Sequence, residues 1–230
     1  MNLNHKISIL ESRSWKMSSI TFIISVILLS IIVSFFIPIK ESITLQMLSF
    51  CLFGLLVSIL IIWINYKKEK LSFGLSYKNL RYVIWTPLIY LITIILLLFV
   101  SLLNQYLLSN FFNVEIKPQD ILEKFKELEN SIEIIIFVFG STIIAPIYEE
   151  LLFRGILFPK LLQKTNLIWA IVLSSLVFAI LHFHLSALLP LFVLSIILSF
   201  TYLYTSTIWA CISLHALFNL ISIIAVKFMN

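Results

Sequence analysis

The chain has 230 residues, of which 61% are hydrophobic and 12% charged, with a formal net charge of +5. That balance excludes a soluble globular domain. The cations sit in short segments between apolar runs, so they speak for membrane topology and against a nucleic-acid partner, and the simplest reading is one integral membrane domain over 1–230.

Residues 1–17 carry Lys6, Arg13 and Lys16 against Glu11. The apolar run 20–37 follows and stops at Pro38. It is too long for a signal-peptide core and lacks a small-residue cleavage site, so it is expected to be a first membrane helix. Residues 45–64 form a second span. The next loop holds Lys67, Lys68, Lys70, Lys78 and Arg81 against Glu69 alone. This is the strongest positive-inside signal in the chain; it predicts a cytoplasmic loop and a cytoplasmic N-terminus at the cell membrane. Residues 82–103 form a third span.

The stretch 104–131 is the long polar connection, with Glu115, Asp120, Glu123, Glu127 and Glu129. Pro118 suits the first turn of a helix, after which Ile121, Leu122, Phe125 and Leu128 fall on one face. The expectation is a short amphipathic helix on the outer surface, with a lid or a solvated loop as alternatives. Residues 1–129 thus comprise N-terminal spans and a polar amphipathic loop.

The fourth span begins at 132 and is expected to run to about Phe158, kinked at Pro146 and stopped by Pro159. Residues 167–181 form a fifth, ending in His182-Phe183-His184. Residues 188–204 form a sixth and 208–228 a seventh. The fold class expected is all-α: a polytopic membrane helical bundle of seven transmembrane helices, eight if a run is split or a re-entrant piece is present. No internal repeat is visible, which counts against a repeat-built transporter.

Between Ile134 and Val226 the only formal charges are Glu149, Glu150, Arg154, Lys160 and Lys164. Ionisable groups inside a membrane segment are costly and therefore functional candidates. On a helix, Glu150 reaches Arg154 as an i,i+4 ion pair, while Glu149 points about 100° away and is left available. Phe178 and His182 share a face at i,i+4, as do His215 and Asn219. Asparagine and histidine need hydrogen-bond partners in hydrocarbon, so Glu149, His182, His215 and Asn219 are expected to face one interior cavity. Taken singly, each pair could merely lock helices together. His184, two residues beyond His182, is read as interfacial. Cys51 and Cys211 form no redox or metal-ligand spacing and read as small buried apolar residues.

The ordered set Glu149-Glu150-x-x-x-Arg154, Phe178-x-x-x-His182 and His215-x-x-x-Asn219 resembles the CAAX protease and bacteriocin-processing family of membrane proteins. The resemblance covers about 130–222, the expected catalytic core. It implies an intramembrane endopeptidase acting on a peptide or protein substrate at the lipid bilayer. Glu149 and His182 would activate a water, His215 and Asn219 would stabilise the oxyanion, and Glu150 and Arg154 would orient them. The residue chemistry agrees: a carboxylate in an apolar cavity is a stronger base than in water, and donors aimed at a developing oxyanion lower the barrier. No cofactor is expected; if zinc were used, its ligands would be Glu149, His182 and His215. A nucleophilic alternative would use Cys211 near His215 or Ser186 near His182.

Two other functions compete. One is a non-catalytic bacteriocin immunity or membrane binding protein of the same family. The other is a small transporter with a carboxylate proton relay. Depth is a separate problem, because alternating spans put the Glu149 end of span four and His182 on opposite sides. Either span five is short, with 183–187 turning inside the bilayer, or the motif helix continues so that Glu149 lies near its middle. The second is favoured because 151–158 is still mostly apolar.

Overall fold

A computed structural model describes residues 3–25, 43–69, 73, 77–111 and 120–228. Helix α1 is Leu3–Glu11, and α2 is helical over 17–25. Then come α3 (Ile43–Ile64), α4 (Thr86–Phe111) behind a 3₁₀ segment over Tyr77–Trp85, and the short α5 (Asp120–Lys126). The long α6 covers Ser131–Lys164. It is followed by α7 (Leu167–Ile180), α8 (Leu188–Thr205) and α9 (Ile208–Phe228). No strand occurs among the described residues. Five helices among them (α3, α4, α6, α8 and α9) are long and apolar enough to cross a membrane, and α7 is a shorter apolar helix. The protein is a helical membrane bundle. Most of the first predicted span lies outside the described residues, as do Lys70, Glu115 and Pro118.

The helices are apolar nearly all round, as membrane helices must be, and they sort by what they touch. Leu56 on α3 and Ile95 and Leu102 on α4 are exposed on the outside. The core lies where α8 packs against α7, α4 and α9, and where the middle of α6 packs between α3 and α9. Gly54 on α3 makes one of these approaches possible, since a Cβ there would lie 2.7 Å from Ile144 Cγ2 and 2.9 Å from the Tyr148 ring.

Pro159 does not stop α6, contrary to expectation. The helix carries two π turns, Gly140–Ile144 and Phe153–Leu157, closed by N–H donation from Ala145 to the Gly140 carbonyl and from Phe158 to the Phe153 carbonyl. Each π turn immediately precedes a proline in the first turn of the α segment beyond it, Pro146 and Pro159 respectively. A proline lacks an N–H, and it is tolerated where the hydrogen-bond ladder is already changing register. At Pro146 the lost donor is absorbed by a π turn.

The amphipathic helix is present as α5, and its apolar face turns inward onto the end of the bundle. Phe125 is buried and stacks on Phe137 with centroids 4.2 Å apart. Leu122 and Leu128 pack around them with Met47 and Ile223. Lys227 Nζ donates to the carbonyls of Lys126, the last residue of α5, and of Leu128 just beyond it, at 3.1 and 2.6 Å.

The opposite end of the bundle holds the N-terminal arm, which the sequence offers only as a basic tail. Arg13 is buried and donates to the Tyr202 hydroxyl and the Ser206 carbonyl, each at 3.0 Å. Trp15 is buried and stacks on Phe73. Lys6 donates to the Tyr204 carbonyl, and Lys160 to that of Trp15. The arm, Phe73, the C-terminal end of α6 and the α8–α9 turn therefore share one face of the bundle.

Candidate functional site

The motif carboxylates sit in the α segment between the two π turns of α6. Glu149 lies eighteen residues from Ser131 and fifteen from Lys164, near the middle of the helix. Span five is also short, at 14 residues or about 21 Å. The motif helix that continues past Glu149 and the short span five are thus both present.

The residue that ties down the turn after span five is Asn104, which sequence reasoning missed. It is buried on α4, seven residues before the helix ends at Phe111. Its Nδ2 donates to the carbonyls of Leu185 and Ser186 at 3.3 and 2.8 Å. The turn is thereby held roughly 10 Å short of the α4 terminus. The sequence reading ends the third span at 103, whereas the helix runs on to Phe111 because Tyr106, Leu107, Leu108 and Phe111 keep it apolar, and that continuation was the available signal. Replacing Asn104 by Leu removes two hydrogen bonds to partly buried carbonyls and is expected to cost about 1–3 kcal/mol. A thermal melt in detergent checks this, and the same variant should lose activity because His182 precedes the turn.

Around the site, Glu150 and Arg154 pair as expected, Arg154 Nη1 donating to Glu150 Oε1 at 3.0 Å, with both side chains fully buried. The second Arg154 nitrogen donates to the carbonyl and hydroxyl of Ser195 on α8, at 2.8 and 2.7 Å. Ser195 was also missed; its signal was a serine at i,i+4 from Ser199 on an apolar helix, both fully buried. The Glu150 oxygen that takes the arginine also lies 2.9 Å from His215 Nδ1. A chain therefore runs Ser195–Arg154–Glu150–His215 across three helices. A carboxylate only accepts, so His215 Nδ1 carries a proton and Nε2 is turned the other way.

His215 Nε2 lies 3.8 Å from Glu149 Oε2, and His182 Nε2 lies 3.9 Å from the same oxygen. That oxygen is buried and has no hydrogen-bond partner. His182 Nδ1 is 2.7 Å from the Phe178 carbonyl. A carbonyl accepts only, so Nδ1 carries a proton and Nε2 is the nitrogen turned toward Glu149. The acceptor is available because α7 ends there, leaving its last carbonyls without helical partners. Phe183 completes the stop by taking a left-handed conformation with φ 50°.

Phe178 is the platform beneath these groups. It is fully buried, with ring centroids 4.7 Å from His182 and 5.6 Å from His215, and with the Arg154 guanidinium 5.2 Å from its centroid. One aromatic ring thus touches all three motifs, with a cation–π contact to the enclosed arginine.

Asn219 shares the cavity, but its Nδ2 donates to the Ser141 carbonyl in the first π turn at 2.8 Å. An amide nitrogen has two hydrogens, so one donor remains. The cavity is about 1210 Å³ and is lined mainly by apolar side chains, with Glu149, His182, His215 and Asn219 on its wall. His184 is half-buried after the end of α7 and is not among the lining residues. Cys211 is fully buried with its sulfur against the carbonyls of Leu198 and Thr207, outside the cavity lining.

Zinc ligands about 2.0–2.2 Å from a tetrahedral metal stand about 3.3–3.6 Å from one another. The separations of Glu149 Oε2 from the two imidazoles are 3.9 and 3.8 Å, wider than that edge. The donor set as placed does not fit the ion, and no chemical step is derived through it.

Residues 131–221 match the family model described as Type II CAAX prenyl endopeptidase Rce1-like. The chain is also 37% identical over 84 residues to a Bacillus subtilis (strain 168) protein named "Putative membrane peptidase YdiL". That match covers 36% of this chain and 34% of the relative, so it spans about a third of the relative's length. No solved structure matches the chain. The resemblance carried by the three motifs holds over this segment, and at the level of the family it supports an intramembrane protease in a multi-pass membrane protein.

Proposed function

We propose that the chain is an intramembrane endopeptidase hydrolysing a peptide bond in a membrane-associated peptide. The carrying observation is the convergence of Glu149 Oε2 with the Nε2 atoms of His182 and His215, at 3.9 and 3.8 Å, in the wall of an apolar cavity.

Glu149 and neutral His182 are two acceptors flanking one point. A water there donates a hydrogen to each and turns its lone pair toward a substrate carbonyl. Glu149 takes one proton as the water oxygen bonds to the carbonyl carbon. The carbonyl oxygen becomes the oxyanion, which receives hydrogen bonds from the free amide hydrogen of Asn219 and from His215 when its Nε2 is protonated. Collapse breaks the C–N bond, and the proton held by Glu149 passes to the leaving nitrogen. Such donors are each worth about 2.7–4 kcal/mol where they have been measured in other enzymes. Glu150 and Arg154 touch no reacting atom; they fix the ring of His215. The reaction proceeds without a metal, and the basic face bearing the N-terminal arm is cytoplasmic.

The test is cleavage of a hydrophobic peptide library by purified protein in detergent, with and without a chelator. Cleavage is expected, with rates unchanged by the chelator. Cleavage abolished by chelation and restored by zinc would overturn the water–carboxylate mechanism. No cleavage of any peptide would move the function to the immunity or binding alternative.

A further inference from the structure

Each imidazole at the proposed catalytic centre is held from behind. Glu150 lies 2.9 Å from His215 Nδ1, and the Phe178 carbonyl lies 2.7 Å from His182 Nδ1. Glu149 needs a comparable hold. The last torsion of a glutamate is broad, so the helix alone does not fix the plane of its carboxylate. Yet one particular oxygen, Oε2, is the one that faces both imidazoles.

The side chain placed to hold it is Tyr148. Its hydroxyl meets the Glu149 carboxylate. Oε2 has no hydrogen-bond partner, so the contact falls on the other oxygen, Oε1. A carboxylate only accepts, so the phenol donates.

Neighbouring positions on a helix diverge by about 100°, so what surrounds the ring must impose this contact. That surrounding is α3. The Tyr148 ring meets Phe50 and Phe53 edge-on, with centroids 5.7 and 6.3 Å away. Gly54 leaves the ring its room, since a Cβ there would stand 2.9 Å from Tyr148 Cδ1 and 3.4 Å from Cε1. Phe50, Phe53 and Tyr148 all line the cavity, and its wall is mainly apolar. A hydrogen bond to a carboxylate is stronger in such surroundings than in water.

We propose that Tyr148 is a positioning residue whose hydroxyl, on Oε1, fixes the Glu149 carboxylate with Oε2 turned toward His182 and His215. This inference rests on the peptidase reading of the site. It also brings α3 into the support of the catalytic centre, although α3 lies outside the residues that match the family model.

The experiment compares steady-state cleavage of a hydrophobic peptide by the purified full-length protein and by Tyr148→Phe. The variant keeps the ring contacts to α3, so its thermal midpoint in detergent should match wild type. Its kcat is expected to fall about ten- to a hundredfold with KM unchanged, the loss of one hydrogen bond to a charged group in the chemical step. A kcat equal to wild type overturns the proposal. So does a raised KM at unchanged kcat, which would make Tyr148 a substrate contact instead.

Labelling of Glu149 by dicyclohexylcarbodiimide, read by mass spectrometry, tests the contact without turnover. Removing the hydroxyl leaves Oε1 open to the reagent, so Tyr148→Phe should be labelled several-fold faster than wild type. If wild type cleaves no peptide, the peptidase reading fails separately, and faster labelling of the variant still supports the hold on Glu149. Equal labelling of the two proteins overturns it.

Discussion

Replacing Glu149 by Gln is expected to reduce peptide cleavage by about 10²–10⁴-fold, the span assigned to a positioned general base. The two side chains have the same shape, so the helix and its packing should be unchanged. The chemistry is not the same. Glu149 Oε2 is buried without a hydrogen-bond partner and faces two imidazole nitrogens. The amide can neither take a proton from water nor return one to the leaving nitrogen. Its –NH₂ would instead donate to His182 Nε2, occupying the lone pair that the Phe178 carbonyl sets free. The checks are steady-state cleavage in detergent and circular dichroism of the same sample. A variant that stays folded and within a few-fold of wild type would remove Glu149 from the chemistry. Cellular function surviving in that variant would favour the non-catalytic reading.

The parts of the site that were legible in the sequence are those governed by local helical spacing. Glu150–Arg154, Phe178–His182 and His215–Asn219 are each i,i+4, and a helix puts such pairs on one face wherever it lies in the fold. The convergence of the three was inferable from polarity alone, because few other groups in that half of the chain could satisfy one another. What escaped was set by tertiary partners. Ser195 and Asn104 look like ordinary polar residues in membrane helices, and only the packing of α8 on α6 and of α4 on the 181–187 turn gives them roles. The π turns escaped because prolines at 146 and 159 report a lost donor but not how the helix absorbs it. The N-terminal arm escaped because Lys6, Arg13 and Lys16 match a positive-inside tail. Arg13 and Trp15 are instead buried against the bundle. Such buried, hydrogen-bonded arginine is a tertiary fact that charge counting does not reach.

Removing the arginine of the first motif is expected to be the most destabilising single change. Arg154→Met leaves Glu150 fully buried with its charge uncompensated and strips the donors from Ser195. Breaking a buried pair from one side costs about 3–5 kcal/mol, a large share of the 5–15 kcal/mol that holds a typical domain together. A marked fall in the thermal midpoint and loss of purifiable protein should follow. Arg154→Lys should lie between, since an ammonium keeps the charge but cannot fork between Glu150 and Ser195. The informative comparison is the double variant Glu150→Gln with Arg154→Met. It buries no orphan charge, so it should be more stable than Arg154→Met alone, a sign that additivity forbids for independent sites. It should nevertheless stay inactive, because the acceptor that holds His215 Nδ1 at 2.9 Å is no longer a carboxylate. A double variant that regained both stability and activity would show that the ion pair serves the fold alone. Regained stability without activity would place Glu150 and Arg154 where the geometry puts them, behind His215 and in control of which way its second nitrogen points.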